Sequence, residues 1–282
     1  MNIEQILREP QLRVNQREYT ERVTDYFIQK KQNCVDAGDE QGANRWAILN
    51  SLLGIQNDYI KVFELLADQD YYRGWCLLER IEIAVKLVLC HYQPNGDEYK
   101  ILFIQQYVRQ TQKLFPYQLF GSSEFVKKEV RCSICNSLIT LRKRCEHKKG
   151  KLYMGEFCGH VITQADFIGM SMVTEPFNKY SVMGVTGKED DSYRYPQIDF
   201  LLSIIDHPFN EWRTKDYKIL DNHANYHAGR NEDCPCGSKM KYKKCCLLKA
   251  GVELDHTEFF LRYPTLKSQG KQPTDSLQLL PA

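Results

Sequence analysis

The chain has 282 residues, 43% hydrophobic and 26% charged, with a formal net charge of +2. That is the mix of a soluble globular protein, with room for one large domain or two ordinary ones, and a charge this even does not by itself point to nucleic acid. No apolar run approaches the roughly 18 residues of a membrane span, and the opening MNIEQILREPQLRVNQREY lacks a basic start followed by an apolar core, so a cytoplasmic protein without a secretory signal is expected.

Residues 1–125 read as a helical bundle. Asn15 followed by Glu18 has the form of a capping box for a helix starting near Gln16. Gly38 and Asp39 can end that helix and start the next. There Trp46, Leu49, Leu53, Ile60, Phe63 and Ala67 keep a 3–4 spacing with Gln56 in the same seam, and Leu52, Ile55, Tyr59, Val62 and Leu66 widen the stripe. A face that wide packs against more than one neighbour. The stretch Tyr71 to Tyr92 is apolar nearly all round and is expected as the central helix. Asn95-Gly96 turns the chain, and Asp97 can cap a fourth helix through about Phe115.

Residues 126–186 change texture: cysteines, glycines and short β-leaning runs such as SLITL, KLYMG and YSVMGV replace long stripes. Residues 187–228 read as a polar linker followed by short helices, 229–262 as a second cysteine-rich segment in which HTEFFLRYP suits a short strand, and 263–282 as a loose tail.

Eleven cysteines without a signal peptide favour metal over disulfides. Cys34, Cys76 and Cys90 stand singly in helical patterns, as small buried apolar residues do. The other eight form two groups. In the central group, Cys132-x-x-Cys135 offers two sulfurs in the manner of a zinc knuckle, and Cys145-x-His147 can complete a tetrahedron; Cys158 is the alternative ligand and His160 a weaker one. Nine Lys or Arg against two Glu lie between Lys127 and Lys151, more than a centre of charge −1 needs for balance. Arg142, Lys143, Arg144, Lys148 and Lys149 are therefore candidates for contact with nucleic acid or another anion, and Tyr153 and Phe157 either stack on bases or fill the small core.

In the C-terminal group, GRNEDCPCGSKMKYKKCCL, Cys234-Pro-Cys236 supplies two sulfurs from one tight turn and Cys245-Cys246 supplies two more. Pro235 fixes the backbone between the first pair and Gly237 lets the chain leave at an unusual dihedral. A segment this short, below about 40 residues, needs metal or disulfide to hold it. Lys239, Lys241, Lys243 and Lys244 offset the charge of −2 expected for four thiolates around zinc.

Gly229-Arg230-Asn231, Cys234-Pro235-Cys236-Gly237-Ser238 and Lys241-Tyr242-Lys243-Lys244-Cys245-Cys246 resemble the SEC-C motif, the zinc-binding motif at the C-terminus of the preprotein translocase ATPase SecA and of many unrelated bacterial proteins. The resemblance implies zinc held by Cys234, Cys236, Cys245 and Cys246, and contact with a protein or the ribosome. Lys239-Met240 departs from a more usual Gly-Lys pair, which implies strain at Lys239 if that position has positive φ.

Evidence for catalysis is thin. His223 and His227 are four apart without the Glu of His-Glu-x-x-His, Asp190, Asp191, Asp199 and Asp206 share no clear face, and no phosphate loop, dinucleotide fingerprint or Gly-x-Ser-x-Gly is present. No catalytic residue is assigned. The expected fold is mainly α: an N-terminal helical bundle, a small α+β zinc-bound central domain and a short C-terminal zinc module, with two zinc ions and either a protein, the ribosome or nucleic acid as partner.

Overall fold

A computed structural model describes residues 3–14, 16–183, 195–270 and 277–279. The chain divides into two compact units, residues 1–199 and 200–282. Helices hold the larger share of the described residues, with three small sheets beside them.

In the first unit, α1 (Ile3–Arg8), α2 (Arg17–Asp36), α3 (Glu40–Ala67), α4 (Tyr71–Leu89) and α5 (Ile101–Lys113) form the helical part. The expected cap at Asn15 lies outside the described residues. Gly38 takes φ +69° after α2, and Asp39 caps α3 by accepting from the Gly42 N–H at 2.9 Å. Asp97 accepts from the N–H groups of Leu102 and Phe103 at 2.7 and 2.8 Å, so it caps α5 from three residues before the left-handed Lys100.

The central helix is α3, not α4. Its wide stripe buries Leu52, Leu53, Ile55, Tyr59, Ile60, Val62, Phe63 and Leu66, and it packs against α2, α4 and α5. α4 leaves Tyr72 and Ile83 exposed, so apolar residues on its outer side account for the all-round apolarity of the stretch Tyr71 to Tyr92. Gln56 sits fully inside: its side-chain amide donates to the carbonyls of Leu7 and Tyr99, both at 2.7 Å, and its oxygen accepts from buried Arg13. Arg13 also bonds the Ile6 carbonyl and Asn57, so every partner in this polar knot is satisfied across three segments.

Two strands that the sequence reading assigned no ladder run out of this helical part. β1 (Phe120–Cys132) pairs antiparallel with β4 (His160–Val173) in a two-stranded ribbon with register shifts at Glu124/Phe125, Lys127/Glu129 and Glu129/Val130. Between them β2 (Leu152–Tyr153) and β3 (Glu156–Phe157) form a minimal hairpin. Met154 and Gly155 both have positive φ, the geometry of a type I′ turn. The ribbon's base is tied down by residues 179–183: Trp75 Nε1 donates to the Lys179 carbonyl at 2.6 Å, the Lys179 ammonium meets Glu82, and Tyr72 donates to the Tyr180 carbonyl at 2.7 Å.

α6 (Pro196–Ile204) spans the division between units, as the apolar QIDFLLSIID suggests. In the second unit, β5 (Trp212–Asp221) pairs residue for residue with β6 (Val252–Leu261), and β7 (Leu277–Leu279) adds parallel to β6. Residues 187–228 thus hold the short helix α6 and, beyond the expected short helices, a ten-residue strand, and part of the expected loose tail is a strand. Trp212, Phe259 and Leu261 are buried at one end of this sheet.

Candidate metal centres

The central group gathers at the end of the ribbon. β1 delivers Cys132, whose carbonyl accepts from the Asn136 N–H at 2.9 Å while its own N–H donates to the Ser137 carbonyl at 3.0 Å. Asn136 takes φ +56°, closing a knuckle that returns Cys135 beside Cys132. The ligand atoms of Cys132, Cys135, Cys145 and His147 all lie within 4.8 Å of one another. His147 is held by its ring packing edge-on to Tyr153 at 4.6 Å, and its Nδ1 is buried with no hydrogen-bond partner among the described residues. A buried, unpartnered imidazole nitrogen beside three thiols is a donor that a metal ion satisfies and that otherwise costs about 1–3 kcal/mol.

Cys158 stands at the margin of this set. Its Sγ is 3.8 Å from that of Cys132, and the residue is buried where Cys158 N–H donates to the Lys151 carbonyl at 2.8 Å. It does not belong to the group whose donor atoms are all mutually close. The protonation tendencies differ accordingly. Hydrogen bonds from the Cys135 and Ile134 backbone bring the Cys132 thiol down to about 7, and Ser137 lowers Cys135, whereas burial pushes Cys158 up to about 11. His160 starts β4, opposite Cys132 in the ladder, and is exposed.

The β2–β3 turn anchors this centre to the helices. Gly155 N–H donates to Asn44 Oδ1 at 2.7 Å, and a Cβ at Gly155 would meet the Ala43 carbonyl at 3.1 Å, so the close approach requires glycine. His91 Nε2 lies 2.6 Å from the Gly150 carbonyl, and Phe157 packs on the His91 ring. Tyr153 and Phe157 thus both make contacts inside the protein. Around the centre, Arg142, Lys143, Arg144, Lys148 and Lys149 are exposed and carry no ion pair among the described residues, whereas Lys128 pairs with Asp166 and Arg131 with Glu129.

At the C-terminal group, Cys234, Cys236, Cys245 and Cys246 bring their sulfurs within 4.8 Å of one another. Cys236 Sγ is 3.5 Å from Cys245 Sγ, which is 3.8 Å from Cys246 Sγ. The turn forms because Cys234 N–H donates to the Met240 carbonyl at 2.7 Å and Gly237 N–H to the Cys234 carbonyl at 3.1 Å, with Gly237 at φ +79°. Lys239 takes φ +58°, the strain its departure from glycine implied. Hydrogen bonding with Ser238 brings the Cys236 thiol down to about 6, and burial pushes Cys246 up to about 12. Four soft donors at this spacing, two of them buried, suit a closed tetrahedral ion.

The segment is not without a core. Cys234 and Cys246 are buried with Tyr242 and Val252, and Tyr226, Ala228 and Leu254 pack on this cluster. His223 bridges it, with Nδ1 2.5 Å from the Tyr242 hydroxyl and Nε2 3.0 Å from the Lys249 carbonyl. That accounts for His223 as a structural residue, and His227 is exposed. Of the acidic residues weighed for catalysis, Asp206 accepts from the Leu266 and Lys267 N–H groups, Asp199 accepts from the Tyr71 hydroxyl, and Asp190 and Asp191 lie outside the described residues. Cys34 and Cys76 are half-buried and Cys90 is exposed, so the single cysteines are not the core residues expected; the Cys90 thiol, just past the end of α4, instead donates to the Lys86 carbonyl.

Residues 230–248 match the SEC-C motif. The match covers the turn, the lysines and all four thiols, and identifies a zinc-binding motif rather than a family for the whole chain. No solved structure matches the chain. No helix among the described residues is long and apolar enough to cross a membrane.

Proposed function

We propose that this is a zinc-binding protein whose SEC-C module mediates contact with another macromolecule, a protein or the ribosome. The observation that carries the reading is the convergence of Cys234, Cys236, Cys245 and Cys246 within a stretch that matches the motif. Zinc there would act as a structural cross-link, fixing the lysine-bearing turn against the small Tyr242–Val252 core. A second zinc would be held by Cys132, Cys135, Cys145 and His147, with Cys158 as the alternative donor, and would lock the end of the β1–β4 ribbon to the β2–β3 hairpin. The five-part division at residues 125, 186, 228 and 262 belongs to the same proposal, as does a cytoplasmic location.

The cations around the central centre support a second reading, in which Arg142, Lys143, Arg144, Lys148 and Lys149 grip the phosphates of a nucleic acid; among the described residues they have no internal counter-ion. A pull-down with the full chain, at low and high salt and with and without nuclease, separates the two. Partners that survive nuclease and are lost with Cys234→Ser support the first reading. Capture that vanishes with nuclease and falls steeply with salt supports the second and overturns the first.

A further inference from the structure

The β1–β4 ribbon carries an apolar face that neither centre uses. Phe125 pairs with Phe167, Ser123 with Met170 and Gly121 with Met172. Alternate residues of a strand share a face, so these six lie on one side of the ribbon. Their large members are open to solvent: Phe125 is 52% exposed, Phe167 60%, Met170 60% and Met172 67%, and Ile168, the extra residue of the adjoining bulge, is 57% exposed. The two phenyl rings touch edge to face at 5.5 Å, which makes the patch continuous across both strands.

At about 200 Å² for each large side chain, these five residues leave roughly 600 Å² of apolar surface in water, at the upper end of what a monomer ordinarily exposes. With the flanking Ser123, Lys127 and Ala165 the footprint reaches about the 800 Å² that each partner contributes to a standard interface. A two-stranded ribbon on its own is also marginal in water; it needs a third strand or a covered face. The strands here run for 13 and 14 residues and, among the described residues, gain beyond each other only isolated bridges at their two ends, Phe120 to Val182 and Arg131 to Leu138, with none along the Gly121–Phe125 stretch.

Charge selects the occupant. Between Gly121↔Met172 and Phe125↔Phe167 the one charged residue is Glu124, paired with Gly169 on the other face. The apolar centre of the patch therefore offers nothing to a polyanion or to a charged peptide, and a two-fold axis through that centre places the flanking Lys127 of each copy at opposite ends of the interface. We propose that the Phe–Met face of the β1–β4 ribbon is a homodimer interface, on which two copies of the chain stack ribbon on ribbon and bury Phe125, Phe167, Met170 and Met172 against the same residues. Methionine's flexible thioether suits such a self-fitting surface.

The test is sedimentation equilibrium of the full chain over a wide concentration range, for the wild type, Phe167→Glu and Met172→Lys. A dimeric wild type and monomeric variants, with unchanged helical circular dichroism and unchanged metal content, is the expected result. If Phe167→Glu misfolds, Met172→Lys, which lies away from the ring contact, decides. A wild type that stays monomeric throughout, or a folded variant that stays dimeric, overturns the proposal. So does a monomeric wild type that instead retains an extended apolar peptide, since the face then has a different occupant.

Discussion

Replacing Cys246 by serine removes one of the four thiols at the C-terminal centre and is expected to weaken zinc binding there by about two to three orders of magnitude. The Cys246 sulfur lies 3.8 Å from that of Cys245 in a fully buried residue. It sits inside the buried cluster with Cys234, Tyr242 and Val252. Structural zinc supplies about 10–16 kcal/mol to small metal-held segments, so one donor in four accounts for about 2.5–4 kcal/mol, and about 1.4 kcal/mol is a factor of ten in affinity. Competition titration of the full chain against a chromophoric chelator reads the loss directly. Cys76→Ser, in α4 and outside both groups, is the control and should leave the zinc curve unchanged. A Cys246→Ser chain that competes as well as the wild type would refute the assignment of this sulfur, and with it the reasoning from its burial.

Three other substitutions probe the supporting structure. Gln56→Leu strands the Leu7 and Tyr99 carbonyls and one Arg13 N–H, and should lower stability by about 2–4 kcal/mol in a denaturant titration; no measurable loss would show that the knot is not closed as described. Lys239→Gly relieves a left-handed residue and should stabilise the second unit by about 0.5–1 kcal/mol with zinc affinity retained, read as a raised thermal midpoint. Burial pushes the Glu82 carboxyl up, but the Lys179 and Lys86 ammonium groups outweigh it and hold it below the ordinary range. Its contribution is therefore present above the unfolded value of about 4.3 and lost as pH falls through the lower folded value, so Glu82→Gln should flatten the acid limb of the stability profile; an unaltered limb would remove Glu82 from the account.

α3 was legible because its wide stripe keeps a 3–4 spacing, and the starts of α3 and α5 because Asp39 and Asp97 cap them, whereas apolar residues on the exposed side of α4 hid which helix is central. The two cysteine groups were legible because metal ligands must be close in space and short loops make them close in sequence. The ribbon was not. β1 and β4 lack clean alternation because neither face is buried along most of their length, and three register shifts move the pattern from one side to the other. β5 was hidden for a related reason: Arg213, Lys215, Asp216 and Lys218 fill it with charge, and it is a strand because β6 lies beside it at every position. β6 also explains why the SEC-C stretch is less dependent on metal alone than its length suggested, since Val252 and Leu254 carry its small core into a sheet.

The most direct test is elemental analysis of the full chain purified under reducing conditions without chelator. Two zinc ions per chain are expected, falling to one when Cys234 and Cys246 are both replaced by serine. A chain that folds, shows native circular dichroism and contains no divalent metal would contradict the claim that these sulfurs are organised around an ion.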